Sequence, residues 1–114
     1  MEGRISPQRF VELTATAPAR AYGLYPRKGT IAIGADADLV VWDTFAPGHE
    51  RIIRNDDLHH DVDYTPYEGL AVRGWPALTL SRGEVVWDGA QPHGPVGRGQ
   101  FLRCGLPALL PRRR

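Results

Sequence analysis

The spacing of hydrophobic residues in the first part of the chain is that of a helix. Phe10, Leu13 and Ala17 fall on one helical face, at spacings of three and four residues. Ser6 is a suitable N-cap, and Pro7 suits the first helical position because its missing N–H would have no partner there. The pattern predicts a helix that begins after Ser6.

A second set of helix signals follows directly. Thr16 can cap a new helix, and Pro18 would then lie in its first turn. Gly23 followed by apolar Leu24 is typical of a left-handed helix stop with its hydrophobic contact. The sequence therefore predicts a helical hairpin within residues 1–26.

From Lys28 onward the hydrophobic pattern becomes that of strands. Residues 30–33 form a short β-branched run, Gly34-Ala35-Asp36 is typical of a turn, and residues 39–42 form a continuous apolar strand. We expect two strands around this turn, with the carboxylate of Asp38 fixing the start of the second strand through backbone hydrogen bonds.

Turn residues separate further short apolar runs downstream, and their spacing is typical of a small antiparallel meander or half-sandwich. The predicted fold class is therefore α+β, with a helical hairpin, a small antiparallel β-sheet and an extended tail. The sheet is assigned to residues 27–90, and residues 91–114 are predicted to be an extended C-terminal arm. Strands are predicted at about residues 51–54, 70–73, 77–81 and 84–87.

The charge balance of the 114-residue chain argues against a nucleic-acid partner. Its 14 basic and 13 acidic residues give a formal net charge of +1, and the only basic run is residues 112–114. No apolar run approaches the ~20 residues that cross a bilayer, so no membrane partner is predicted either. Cys104 is the single cysteine, which agrees with a reducing compartment, and the cytoplasm is the expected location.

The segment His59-His60-Asp61-Val62-Asp63 contains the residue types that bind zinc, manganese or iron. Adjacent side chains on an extended backbone point to opposite sides, however, so His59 and His60 cannot easily hold one ion. We expect residues 59–69 to form a packed structural loop between two strands, with no metal held there. The partly buried side chains of this loop are predicted to be Tyr64, Pro66 and Tyr67.

Other motifs match functional sites only in part. Residues 29–34 have the glycine spacing of a phosphate-binding loop but lack its lysine, and residues 97–102 lack the third glycine of a dinucleotide fingerprint. Ser81 lacks the flanking residues of a nucleophile elbow, and Cys104 in its Gly-rich tail is interpreted as a structural or exposed thiol. The sequence therefore assigns no catalytic, substrate-binding or metal-binding residue to this chain, and no cofactor.

Several segments together resemble the C-terminal end of the amidohydrolase superfamily. Residues 34–43 contain the form G-x-x-A-D-L-V, which is widespread there and indicates only the superfamily. Two segments are specific to a smaller group of proteins and resemble the dihydropyrimidinase and D-hydantoinase branch. They are Leu24-Tyr25-Pro26-Arg27-Lys28-Gly29 and residues 59–69. Gly97-Arg98-Gly99-Gln100-Phe101-Leu102 resembles the C-terminal arm of that branch, whereas residues 105–114 look individual.

The resemblance implies a metal-dependent enzyme that hydrolyses cyclic amide C–N bonds, built on a (β/α)₈ barrel with a small β-sandwich assembled from both chain termini. Residues 1–26 would be the last barrel helices, residues 27–90 the C-terminal half of the sandwich and residues 91–114 the arm. The divalent metal of the parent enzyme, zinc by resemblance, is held by segments upstream of these residues. This chain alone is therefore expected to be inactive scaffold.

The resemblance also implies two partners. One is the missing N-terminal barrel segment, and the other is further copies of the complete protein, since the family forms homo-oligomers, commonly tetramers. Residues 94–102 would be an extended arm that packs on another subunit.

Two other interpretations of the parent protein stay open. An allantoinase or dihydroorotase shares the architecture, although residues 25–29 favour the dihydropyrimidinase and hydantoinase branch. A non-catalytic assembly module of the same fold is equally compatible with these residues, because the ligands that decide between enzyme and module lie outside them. Whether the parent protein is an enzyme is therefore not decided by this sequence.

Overall fold

The structure, a computed structural model, describes residues 4–43 and 50–108. Its helical elements are helix α1, a π-helical segment and helix α2, and a short 3₁₀ turn lies between strands β2 and β3. The elements in chain order are α1 (Pro7–Val11), the π-helical segment (Glu12–Thr16), α2 (Ala17–Ala21), β1 (Leu39–Asp43), β2 (Glu50–Ile52), the 3₁₀ turn (Asn55–Asp57), β3 (Ala71–Arg73), β4 (Trp75–Ser81) and β5 (Glu84–Trp87).

The helical elements form one continuous segment, and the predicted hairpin is wrong. Val11 (φ −62°, ψ −41°) and Thr16 (φ −70°, ψ −47°) both hold right-handed helical angles, so the chain does not turn between them. The wide π turn lets the Ala17 N–H donate to the Glu12 carbonyl, five residues back, and it accommodates Pro18, which has no N–H to donate. The Thr16 side chain caps no helix, because its hydroxyl donates to the carbonyl oxygen of Gly29 at 2.7 Å.

Both ends of the helical segment follow the prediction. The Ser6 hydroxyl accepts a hydrogen bond from the Arg9 N–H at 3.1 Å. At the other end Gly23 holds a positive φ of 65°, and the Leu24 N–H donates to the Ala19 carbonyl at 2.8 Å. These bonds satisfy backbone groups that a helix end leaves without intrahelical partners. None of the helices in the described part of the chain is long and apolar enough to cross a membrane.

The five strands of the described residues form two antiparallel sheets. In the larger sheet β4 lies between β1 and β5, with Val41 opposite Leu78 and Val85 opposite Leu80. Strands β2 and β3 form the second, two-stranded sheet. The four strands predicted downstream are present, with bounds that differ by at most two residues. The α+β class with small antiparallel sheets is therefore confirmed.

The strand predicted at residues 30–33 is not formed. The turn after it is present, because the Ala35 N–H donates to the Ala32 carbonyl at 3.0 Å. No strand of the described residues pairs with residues 30–33, and the side chains of Ile31 and Ile33 are 86% and 108% exposed. A strand needs a hydrogen-bonded neighbour. The β-branched pattern alone is therefore not enough at this position.

The fold buries little of its own surface. Among the described residues Ala19 alone is buried, and large side chains such as Ile5, Val11 and Tyr22 are exposed. The accessible surface is 9631 Å², whereas a folded monomer of 12.6 kDa exposes about 6,200 Å². The radius of gyration of 16.4 Å likewise exceeds the ~13 Å of a compact 114-residue domain. A self-contained domain of this size would have covered this apolar surface.

Candidate functional site

The two adjacent histidines lie on the surface of the loop between β2 and β3. Both are exposed, and the ring of His59 packs edge-on against Trp87 with the ring centroids 5.1 Å apart. Within residues 4–43 and 50–108, no group of three or more His, Cys, Asp or Glu side chains is arranged to hold a metal ion. The described residues therefore do not fit the divalent metal that the sequence resemblance implies for the complete enzyme.

Backbone bonds close the loop between β2 and β3 at its base. The Ile53 N–H donates to the Leu70 carbonyl at 2.9 Å, and the Gly69 N–H donates to the Ile53 carbonyl at 2.8 Å. The carboxylate of Glu68 also accepts the Asn55 N–H at 2.7 Å. The prediction of an ordered connection between two strands is confirmed.

The burial predicted for this loop is wrong. Tyr64 and Tyr67 are 67% and 59% exposed, and Pro66 is exposed as well. Aromatic rings become buried only where other atoms cover them, and the described residues supply no such cover here. The aromatic and proline content of a loop predicts its order without predicting what lies over it.

A cluster of opposite charges joins the turn after the helical segment to the start of β1. Lys28 Nζ lies 2.9 Å from a carboxylate oxygen of Asp36 and forms a shorter ion pair with Asp38. Arg27 Nε donates to Asp36 at 3.0 Å. The other oxygen of Asp38 accepts the N–H of Arg82 at 2.8 Å, in the turn between β4 and β5. The predicted role of Asp38 is confirmed, and its bond reaches across the sheet.

The contacts in this cluster set the charge of its members. The hydrogen bond from Lys28, supported by Arg27, lowers the pKa of Asp36. Desolvation acts to raise the pKa of Asp38, but hydrogen bonds from Lys28 and from the Arg82 N–H outweigh it and lower that pKa. Desolvation also opposes the charge of Lys28, yet its bonds to both carboxylates raise its pKa. These groups stay charged at neutral pH, whereas a general acid or base needs a pKa near the working pH.

The carboxylate of Asp88 accepts hydrogen bonds that stabilise the turn after β5. One oxygen of Asp88 accepts the N–H groups of Ala90 and Gln91 at 2.9 and 2.8 Å, and the other lies 2.7 Å from His93 Nε2. The hydrogen bond from His93, followed by the two backbone bonds, lowers the pKa of Asp88. The His93 N–H donates to the Val86 carbonyl at 2.9 Å, so the chain runs back along β5.

An open groove of about 560 Å³ lies between the two sheets. Its carboxylates already have partners, since Glu50 accepts from Arg73 Nε at 2.7 Å, Asp88 bonds His93, and Asp43 is engaged too. The lining residues are Asp43, Glu50, Arg51, Trp75, Pro76, Ala77, Asp88, Gly89 and Ala90. The guanidinium of Arg51 covers the ring of Trp75 at 5.2 Å. Each carboxylate that the described residues contribute to this groove is therefore engaged in an interaction.

The other residues considered from the sequence have separate positions. Gly29 lies against the helical segment, where an added Cβ would be 2.5 Å from the Cβ of Ala19, so its glycine serves close packing. Ser6 caps α1, and the carbonyl of Ser81 accepts a hydrogen bond from Arg98. Cys104 is exposed. The structure brings these residues into no common site.

Arg98 is the anchoring residue that the sequence interpretation missed. Its Nη2 donates to the Ser81 carbonyl at 2.9 Å and to the Glu84 carboxylate at 2.7 Å. Its own carbonyl accepts from Arg82 Nη2 at 2.6 Å. These bonds tie the tail to the turn between β4 and β5. The only sequence signal is an arginine between two glycines, which does not indicate a distant partner.

Known proteins match this chain over most of its length. The Amidohydrolase family matches residues 1–86. A D-hydantoinase of Ralstonia pickettii is 47% identical over 102 residues, and a D-phenylhydantoinase of Escherichia coli O127:H6 is 48% identical over 103 residues. Each match covers 90% of this chain and 22% of the relative.

The fold matches solved structures in the same way. A D-hydantoinase (dihydropyrimidinase) from Thermus sp. superposes with a TM-score of 0.82 at 40% identity, covering 93% of this chain and 22% of that protein. The chain therefore spans about 22% of the length of the relatives that it matches. Most of each relative has no counterpart in these 114 residues.

Proposed function

Because the chain belongs to the amidohydrolase family, we propose that it is the C-terminal part of a cyclic amidohydrolase of the hydantoinase and dihydropyrimidinase type. The observation that carries this proposal is 47% identity to the D-hydantoinase of Ralstonia pickettii over 102 residues. The complete protein would hydrolyse a C–N bond of a cyclic amide, opening the ring.

In this proposal the chain is scaffold and contributes no catalytic residue. Residues 1–26 would contain the last helical segment of a barrel, residues 27–90 would be part of a sandwich and residues 91–114 an arm. The uncovered surface supports this role, because it exceeds that of a folded monomer by about 3,400 Å². An excess of this size is comparable to the areas buried in obligate interfaces. The missing barrel segment would cover it.

The charged groups support the same role. Asp38 and Asp88 use their carboxylates to hold backbone N–H groups, and Lys28 pairs with two carboxylates. Such bonds fix the relative positions of turns and strands. A scaffold needs this kind of fixed geometry in order to hold catalytic segments in place.

The divalent metal of the complete enzyme, zinc by resemblance, would be bound outside this chain. The exposed His59 and His60 are not gathered with other ligands in the described structure. When bound, the metal would activate water for attack on the ring carbonyl. The residues of this chain would keep the segments that bind metal and substrate in position.

Further copies of the complete protein would be the remaining partners. Val96 and Phe101 in the tail are 105% and 93% exposed. Burial of such side chains against another subunit is favourable, which supports a homo-oligomer, a tetramer by resemblance. The single Cys104 supports a location in the cytoplasm.

The proposal is tested by replacing the matching 102-residue segment of the Ralstonia pickettii D-hydantoinase with the corresponding part of this chain. Ring opening of hydantoin and of dihydrouracil is then measured. We expect the chimera to be active and the relative lacking the segment to be inactive. A chimera that folds with the circular dichroism and mass of the parent, yet opens neither ring, would contradict the proposal.

The alternative interpretations are separated by the complete protein expressed from its own gene. Allantoin and dihydroorotate are assayed beside hydantoin and dihydrouracil. Preference for either of the first two would indicate the allantoinase or dihydroorotase branch. A folded complete protein that hydrolyses none of the four would indicate a non-catalytic assembly module.

A further inference from the structure

We propose that residues 105–108 form a strap that closes over the end of the helical segment and holds the C-terminal tail to it. The Gly105 N–H donates to the Gly23 carbonyl at 2.8 Å, and the Ala108 N–H donates to the Arg20 carbonyl at 3.0 Å. The side chain of Leu106, between them, is 93% exposed. The contact is therefore made by backbone groups.

The strap supplies donors where the helix lacks them. The last carbonyls of a helix have no intrahelical N–H partner. The Arg20 carbonyl accepts the Gly23 N–H at a longer 3.2 Å, and the strap adds the Ala108 N–H at 3.0 Å. The Gly23 carbonyl, just beyond the helix, receives the Gly105 N–H. The tail thus completes the cap that Gly23 begins.

Gly23 is required at this position for a second reason besides its φ of 65°. A Cβ added there would lie 2.7 Å from the carbonyl carbon of Gly105 and closer still to its oxygen. The reverse contact is milder, because a Cβ on Gly105 would lie 3.3 Å from the Gly23 oxygen. Any side chain at position 23 would push the strap away from the helix.

The strap also determines where the tail can go. Arg98 first ties the tail to the turn between β4 and β5, and the strap then ties it to the helical segment. The tail therefore bridges sheet and helix within one chain. While the strap is closed, the N–H groups of Gly105 and Ala108 are bonded within their own chain, whereas the exposed side chains of Phe101 and Leu106 stay available for a contact with another copy.

Amide hydrogen exchange of the full chain, followed by NMR, tests the strap. In the unaltered chain we expect the Gly105 and Ala108 amides to be protected as the Leu24 amide is, since each has a backbone acceptor at 2.8–3.0 Å. Gly23→Ala should lower the protection of both strap amides about tenfold or more and leave the Arg82 amide, which bonds Asp38, unchanged. Gly34→Ala is the matched control, because Gly34 also has a positive φ, 89°, but no atom within 4 Å of the added Cβ.

A second variant keeps the test decisive if Gly23→Ala unfolds the chain. Ala108→Pro removes one strap donor and places the ring Cδ against the Arg20 carbonyl, so it should open the strap at residue 108 and lower the protection of the Gly105 amide several-fold. Strap amides that exchange at the random-coil rate in the unaltered chain, while the Leu24 and Arg82 amides stay protected, would overturn the proposal. So would equal losses in Gly23→Ala and Gly34→Ala, or an unchanged Gly105 amide in Ala108→Pro.

Discussion

Residues 30–33 and strand β1 lie on either side of one turn and have similar apolar sequences, yet only β1 is a strand. β1 pairs with β4, with Leu39 opposite Leu80, and Asp38 fixes its start through the Arg82 N–H. Ile31 and Ile33 have no such neighbour among the described residues and stay exposed. A neighbouring strand therefore decides whether such a segment becomes a strand, and the local apolar pattern alone does not.

The same difference divides the whole chain into a bonded part and an open part. The bonded part holds the Lys28 cluster, β1, β4, β5 and the Arg98 anchor within one set of hydrogen bonds and ion pairs. The open part comprises surfaces such as residues 30–33. In the proposed complete protein, segments outside this chain would cover the open part.

The largest effect is expected from the glycine that joins the open stretch to the helix. Gly29 and Gly34 flank residues 30–33, and both have positive φ values, 78° and 89°. Alanine in that conformation costs about 1–2 kcal/mol at either position. Only Gly29→Ala also places its Cβ 2.5 Å from the Ala19 Cβ, and such overpacking costs a further ~1–3 kcal/mol. Gly29→Ala should therefore lower the free energy of unfolding, measured with urea, by more than Gly34→Ala does. Equal losses in the two variants would show that the contact with Ala19 contributes nothing.

A smaller loss is expected where Asp38 bonds the turn between β4 and β5. Asp38→Ala removes the acceptor for the Arg82 N–H and one of the two carboxylate partners of Lys28, and it should cost about 1 kcal/mol because the site is partly exposed. Asp38→Asn keeps an acceptor oxygen and should recover part of the loss. Asp36→Ala is the control, since no backbone N–H is bonded to that carboxylate among the described contacts. A larger loss from Asp36→Ala than from Asp38→Ala would contradict the role given to Asp38.

The features that were predicted correctly are those whose signals are local. The Ser6 cap, the Gly23 stop and the strand at residues 84–87 each depend on a few neighbouring residues, and each is present. Asp38 was also placed correctly as the residue that fixes the start of β1. Its partner could not be predicted, because Arg82 lies 44 positions away.

The errors concern features that depend on distant or missing contacts. The continuous helix depends on a π turn that carries the chain past Pro18, and no capping rule describes such a turn. Whether Tyr64 is buried depends on which atoms cover the loop, and a local sequence pattern does not contain that information. For the candidate site, spacing argued against His59 and His60 as joint ligands, but it did not show which carboxylates would be held by cations.

The pH dependence of stability should come from the Lys28 cluster and, on the acid side, also from Asp88, whose pKa is lowered as well. The pKa values of Asp36 and Asp38 are lowered in the folded chain, so their stabilisation is present above their unfolded pKa, ~4, and is lost as pH falls through the folded values. The pKa of Lys28 is raised, so its contribution is present below its unfolded pKa, ~10.4, and is lost as pH rises through the folded value.

Thermal unfolding between these limits should therefore give a plateau that declines at both ends. Lys28→Met should flatten the alkaline decline and weaken the acidic one. An alkaline decline of unchanged size in Lys28→Met would assign that pH dependence to other groups.

The smallest effect is expected in the open stretch of the isolated chain. Ile31→Ser together with Ile33→Ser changes side chains that are 86% and 108% exposed, so the free energy of unfolding should change by no more than ~0.5 kcal/mol. Leu39→Ser in β1 is the control and should cost about 1–2 kcal/mol. In the chimera with the Ralstonia pickettii relative, the isoleucine pair should lower the melting temperature as well. An unchanged melting temperature of the chimera would contradict the proposal that another segment covers residues 30–33.

The central claim is that this chain is scaffold which needs the rest of a hydantoinase-like protein. The most direct test measures hydantoin ring opening by the purified chain with added zinc or manganese. It is compared with the same chain mixed with the separately expressed remaining segment of the Ralstonia pickettii D-hydantoinase. We predict no activity in the chain alone and activity in the mixture. Activity in the chain alone that a chelator abolishes would contradict the claim.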